Sequence, residues 1–92
     1  MITQTTLQTT EAARISKRLI NHWKHKFTIH EHENTYIIDM PDAEVVLTYH
    51  PDSLEIQLCG KNDDFNQEKM QEVVANHLDR MAGETFTYQW SF

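Results

Sequence analysis

Between Phe27 and Leu58 the chain reverses direction three times, and no connection has room for more than a turn. Phe27 to Glu33 alternates, with Phe27 and Ile29 to one side and Thr28, His30 and His32 to the other, the pattern of a strand with one buried face. Glu33-Asn34-Thr35 turns the chain and Tyr36 to Met40 returns. Pro41-Asp42 makes the next turn, with proline supplying a preset backbone angle. Val45 to Tyr49 follows, then His50-Pro51-Asp52-Ser53, then Leu54, Ile56 and Leu58 alternating with Glu55 and Gln57. Links this short allow only antiparallel hairpins, so a four-strand meander is imposed. Two of its strands, Tyr36-Ile37-Ile38 and Val45-Val46-Leu47, are apolar in both directions, which predicts cover on both sides of the sheet there.

Two amphipathic helices flank the meander. In the first, Thr9 and Thr10 are the expected N-cap residues and Glu11 suits the positive end of the helix dipole. The helix is then expected to run to Lys26, with Ala12, Ile15, Leu19 and Trp23 on one face and Ile20 at its margin. Arg14, Lys17, Arg18, Asn21 and His25 lie opposite, and His22 sits at the border. In the second, Met70, Val73, Val74, Leu78 and Met81 recur at three and four residues, and His77 falls among them, near the middle of the stripe. Asp64 and Gln67 have the spacing of a capping box, and Gly83 is placed to close the helix in a left-handed cap.

Thr-rich Ile2 to Gln8 reads as a first strand and Phe86 to Trp90 as a last one, with Phe86, Tyr88 and Trp90 on one face. The resulting order is β-α-β-β-β-β-α-β. Each helix has one apolar stripe, so the simplest arrangement is an α+β two-layer sandwich, a mostly antiparallel sheet with both helices on one face. The expected core includes Leu19, Trp23, Val74, Leu78, Phe86 and Trp90. The 92 residues form a single domain, 1–92.

Charge narrows the partners. The net charge is −6, yet Arg14, Lys17, Arg18, Lys24 and Lys26 are five of the eight basic residues, and no acid lies between Ala12 and His30. An acidic protein is poorly suited to nucleic acid, where phosphate neutralisation supplies most of the affinity. The basic stretch could hold a small anion or an acidic partner, or serve as a solvated helix face. No apolar run approaches the length that spans a membrane, and the N-terminal stretch has no signal-peptide pattern. With Cys59 the one cysteine, no intramolecular disulfide forms and nothing points to an oxidising compartment, so the cytoplasm is the expected location.

Ala13-Arg14 followed by Leu19 and His22-x-x-His25-Lys26 opens one motif. His77-Leu78-x-Arg80-x-Ala82-x-Glu84, followed by Trp90, closes another. Together they resemble the bacterial family known as domain of unknown function 2218, from the first strand to Trp90. Met81 stands where the family usually has Phe, and Ile15 where it often has Tyr; both keep the position apolar. The resemblance implies a small bacterial domain without an assigned activity. Some members are similar to segments attached to siderophore-interacting flavin reductases, which implies a setting near iron acquisition. The family pattern singles out His22, His25, Lys26, His77, Arg80 and Glu84. Nothing here resembles a flavin site, and two glycines leave no phosphate loop.

Two readings of these residues stay open. If the helices lie side by side, His22 approaches His77 and Arg80, giving two imidazoles as metal ligands or proton carriers, with Arg80 or Lys26 holding an anion. Alternatively His77 is a core histidine, buried and hydrogen-bonded to backbone, Glu84 or a Tyr, which is the commoner fate of a lone histidine on an apolar face. A structural zinc site normally wants four ligands, and His30 and His32 are better read as part of a polar outer sheet face. Cys59 has no base beside it in sequence, and no carboxylate pair is set at a useful separation. The expectation is therefore a small binding or interaction module for an unknown small ligand or protein partner, accessory to siderophore or iron handling, with no cofactor. The alternative is a metal-binding protein (iron or zinc) or small enzyme using His22, His77 and Arg80. A homodimer through the outer sheet face is the further expectation.

Overall fold

The computed structural model describes residues 2–62 and 65–91. Its order is β1 (Ile2–Gln8), α1 (Ala12–Trp23), β2 (Thr28–His32), β3 (Thr35–Asp39), β4 (Ala43–Tyr49), β5 (Ser53–Gly60) and α2 (Gln67–Ala82). The five strands form one antiparallel sheet in the order β1-β5-β4-β3-β2. The meander thus appears as its turns require, and β1 adds to its last strand. Both helices pack over one face of the sheet, α1 over β3, β4 and β5 and α2 over β5, and they touch each other.

Register explains the core. Thr5, Ile56, Leu47 and Tyr36 stand in one row across the sheet, and Thr3, Leu58, Val45 and Ile38 in the next. All eight are buried. Against them lie Ile15, Leu19 and Trp23 of α1 and Val74, Leu78 and Met81 of α2. Each buried Leu, Ile, Val or Met side chain among these contributes roughly 1.5–3 kcal/mol by leaving water. Phe86 and Trp90 of the expected core do pack against it, but only half-buried.

Among the described residues three polar ones, Thr3, Thr5 and Ser16, enter this interior, and two of them show how their polar atoms are satisfied. The Ser16 hydroxyl donates to the Ala12 carbonyl at 2.8 Å. The Thr3 hydroxyl donates to the Ser91 carbonyl at 2.9 Å and accepts from the Gln71 amide at 3.1 Å, joining β1, α2 and the C-terminal segment. A buried hydroxyl without such partners would destabilise the fold.

Local differences from the sequence reading have identifiable causes. The first helix ends at Trp23, not Lys26, because the amides of Lys26 and Phe27 both donate to the Trp23 carbonyl at 2.9 Å and turn the chain into β2. Its N-cap is Glu11, with no side-chain cap; the Thr9 hydroxyl instead accepts from the Glu11 amide at 3.1 Å. Asp64, expected to cap the second helix, lies outside the described residues, while Asn66 accepts from the Lys69 amide at 3.0 Å and is the N-cap. Gly83 closes that helix at φ 73°, as its position suggested. The last strand reduces to an extended segment held at one bridge, with Gln4 and Ser91 exchanging backbone hydrogen bonds of 2.9 and 2.8 Å.

On the outer face, Ile37 and Val46 are register partners and half-buried. Their row is otherwise Gln4, Gln57 and His30, and the row beside it is Thr6, Glu55, Thr48, Thr35 and His32. The apolar content that suggested a second covered face is therefore one cross-strand pair in a largely polar surface.

Candidate functional site

His22 stands on the last turn of α1 and His77 on the third turn of α2. Because the helices lie side by side, their rings meet at 5.6 Å between centroids, tilted by 48°. The Trp23 ring lies 5.0 Å from that of His77 and makes an edge contact with Phe27 at 5.9 Å. Trp23 is buried, so it forms a fixed wall for the imidazole.

The sequence reading placed His77 in the middle of a buried stripe and left its partner open between backbone, Glu84 and Tyr. The structure corrects the position. The buried line of α2 runs through Val74, Leu78 and Met81, and His77 is half-buried at its edge. At 100° per residue His77 lies well off Leu78 around the helix, at the margin of that line, where its ring meets His22 and Trp23 at the end of α1. Its Nδ1 lies 2.7 Å from the Val73 carbonyl oxygen, one turn back on the same helix. A carbonyl only accepts, so Nδ1 carries the proton and donates, and Nε2 keeps its lone pair in the neutral ring.

The other singled-out residues surround this pair more loosely. His25 and Lys26 are exposed in the turn after α1, and the Lys26 ammonium sits 5.6 Å from the Phe27 ring centroid. Arg80 is exposed on α2 one turn beyond His77. Glu84 is exposed past the Gly83 cap, where its amide donates to the Asp79 carbonyl at 3.3 Å, and the His77 contact goes to Val73 instead. Arg14 pairs with Glu11 and Lys61 with Asp39, whereas Lys17, Arg18, Lys24, Lys26 and Arg80 form no ion pair among the described residues. Among those residues no three His, Cys, Asp or Glu side chains converge as a metal site.

Two features escaped the sequence reading. Asp79 accepts both the Phe86 amide at 3.1 Å and the Tyr88 hydroxyl at 2.8 Å. The Asp-to-Tyr separation of nine residues across a helix end carries no pattern that would reveal this. A groove of about 340 Å³ also runs along the outer sheet face, lined in part by Gln4, Thr6, Thr48, Gln57 and Gln89. Residues of β1, β4, β5 and the C-terminal segment form it together. Cys59 points outward from β5, across from Ile2 and Glu44, and burial, then the Glu44 charge, raises its thiol pKa.

A small two-layer α+β domain with a histidine pair at its helix seam is the class that these features define. The chain belongs to the family of uncharacterised proteins conserved in bacteria known as domain of unknown function 2218, which it matches over residues 4–91. It is also similar to the NMR structure of PA4090 from Pseudomonas aeruginosa, with 35% identity and a TM-score of 0.79 over 98% of this chain and 94% of that one. None of the curated proteins matches. No helix among the described residues is long and apolar enough to cross a membrane.

Proposed function

We propose that this domain is a small binding module that takes a small anionic ligand at the seam between α1 and α2. The observation that carries the reading is the His77 ring, held by its Nδ1 contact of 2.7 Å to Val73, walled by Trp23 and facing His22 at 5.6 Å. Arg18 and Lys26, which form no ion pair among the described residues, lie one turn either side of His22 in sequence, and Arg80 one turn from His77, so an anion held there meets positive charge in an otherwise acidic chain. Imidazole and guanidinium donors suit carboxylate, phosphate or phenolate oxygens. Siderophore or iron handling, suggested by the family resemblance, supplies ligands of that chemistry, and the module acts there as an accessory without catalysis of its own.

The test is an NMR titration of the isotope-labelled chain with catecholate and hydroxamate chelates loaded with gallium(III) as a diamagnetic substitute for ferric iron. Saturable shifts confined to the end of α1 and to α2 around His77 are expected, stronger for the more anionic catecholate. Shifts absent from the seam, or concentrated on the outer sheet face, would remove the reading.

A further inference from the structure

We infer that the His22–His77 seam binds a divalent transition-metal ion through the two imidazoles, leaving its other coordination positions open to water or an anionic ligand; the inference rests on the binding reading above for its location. Three observations carry it. First, the proton on His77 Nδ1 is committed to the Val73 carbonyl. A ring nitrogen donating to a backbone carbonyl is the arrangement that orients a metal-ligating histidine and raises the basicity of its other nitrogen. Second, the spacing fits. With metal–nitrogen bonds of about 2.0–2.1 Å, each ring centroid lies roughly 3.2 Å from a shared ion. Two such rings then stand about 5.2 Å apart at a tetrahedral angle and about 6.4 Å apart when opposed. The observed 5.6 Å falls between these limits, and a 48° tilt is not a stacked pair. Third, buried Trp23 at 5.0 Å supports the His77 ring, so less freedom is lost when a metal arrives.

The ligand chemistry selects the class of ion. Two neutral imidazoles suit zinc, copper, nickel or ferrous iron and not magnesium or calcium, which prefer oxygen. No third side chain of metal-binding type converges there among the described residues, so the protein supplies two ligands. The neighbouring cations weaken the bare ion and favour an anion on its open positions. The seam thus gives the metal and the anionic ligand of the proposed module adjacent places.

The full chain is titrated with Zn²⁺ alone, following the histidine ring nitrogens and the Trp23 indole by NMR. One equivalent is expected to shift His22, His77 and Trp23 together, with Nε2 of His77 as the coordinated atom. His77→Ala and His22→Ala should each weaken binding by about tenfold or more. A His30→Ala/His32→Ala double variant, which removes the two imidazoles on the outer face of β2, should bind as the parent does. His22 is exposed, so His22→Ala keeps the test decisive if His77→Ala fails to fold. Binding that follows His30 and His32, coordination through His77 Nδ1, or no saturation by about 1 mM would overturn the inference. If Zn²⁺ leaves the seam unchanged while the gallium chelate still shifts it, the metal inference falls and the binding module stands.

Discussion

The Tyr88 hydroxyl donates to the Asp79 carboxylate across 2.8 Å, with the Ala75 carbonyl 3.2 Å away as a weaker acceptor for the same proton. Asp79 also receives the Phe86 amide. One carboxylate near the end of α2 therefore helps hold the C-terminal segment, which meets β1 at the Gln4–Ser91 bridge and through the Thr3 hydroxyl. Removing Asp79 leaves a half-buried amide and hydroxyl without a charged acceptor. Asp79→Ala should cost about 1–3 kcal/mol and Tyr88→Phe about 1 kcal/mol in urea unfolding. Amide exchange should quicken over residues 86–91 in both, with the strand core unaltered. A change below a few tenths of a kcal/mol for Asp79→Ala would show that the segment is held by its aromatic packing alone.

Alkaline pH should destabilise the fold. Burial, then the hydrogen bond and charge of Asp79, push Tyr88 up. Burial, then the Glu31 charge, does the same to Tyr36, and burial, then Glu44, to Cys59. Each folded value lies above the unfolded one, so the folded chain holds these protons longer. Their contribution is complete below the ordinary values of 9.0 for the thiol and 10.0 for the tyrosines, and is lost as pH rises beyond them. The melting temperature should stay level in this respect to about pH 9 and then fall. Tyr88→Phe, though less stable at neutral pH, should fall less steeply above pH 10. Parallel curves for the two chains would remove Tyr88 from the account.

Burial ranks two core truncations in an order that side-chain size alone would reverse. Leu78 is fully buried, between the sheet and α1, whereas Trp90 is half-buried against the core edge. Leu78→Ala should cost about 2–5 kcal/mol. Trp90→Ala should cost less than the 3–5 kcal/mol typical of a buried tryptophan, because part of its ring is already in water. Equilibrium unfolding with intact cooperativity gives both numbers. A larger loss for Trp90 would mean that the C-terminal segment packs more deeply than it stands here.

The ends of α2 should respond separately. Gly83 holds φ 73°, where a side chain is strained but meets no neighbour within 4 Å. Gly83→Ala should therefore cost about 1 kcal/mol through backbone conformation. Asn66→Ala, losing the acceptor for the Lys69 amide, should cost about 0.5–2 kcal/mol. The effects should add within experimental error, since the sites lie at opposite ends of the helix. Thermal unfolding of the two single variants and the double variant decides this.

Much of the architecture was legible because period and turn chemistry are local. Pro41-Asp42 and Pro51-Asp52 sit in the tight connections they suggested, and Leu54, Ile56 and Leu58 take the inner face by strict alternation. The stripe of α1 was readable for the same reason, and so was the Gly83 cap. Where the helix ends, periodicity says little. Lys24 to Lys26 continue a helical pattern, yet the chain closes on the Trp23 carbonyl because Thr28 must reach the edge of the sheet.

The candidate site divides along the same line. The sequence by itself determined that His22 borders the apolar face of one helix and that His77 belongs with the apolar positions of the other, since 3.6 residues per turn sets both. Tertiary structure decided that their rings stand 5.6 Å apart, that Trp23 walls them, and that His77 stays half-exposed. It also decided which of the long-range polar contacts form: Asp79 with Tyr88, Thr3 with Ser91 and Gln71. The physical reason is that a residue's angle around its helix follows from spacing, whereas the depth of its burial depends on where the neighbouring element stops. Here the rings of His22 and Trp23, at the end of α1, stand against His77, whose Nδ1 is taken by the Val73 carbonyl of its own helix.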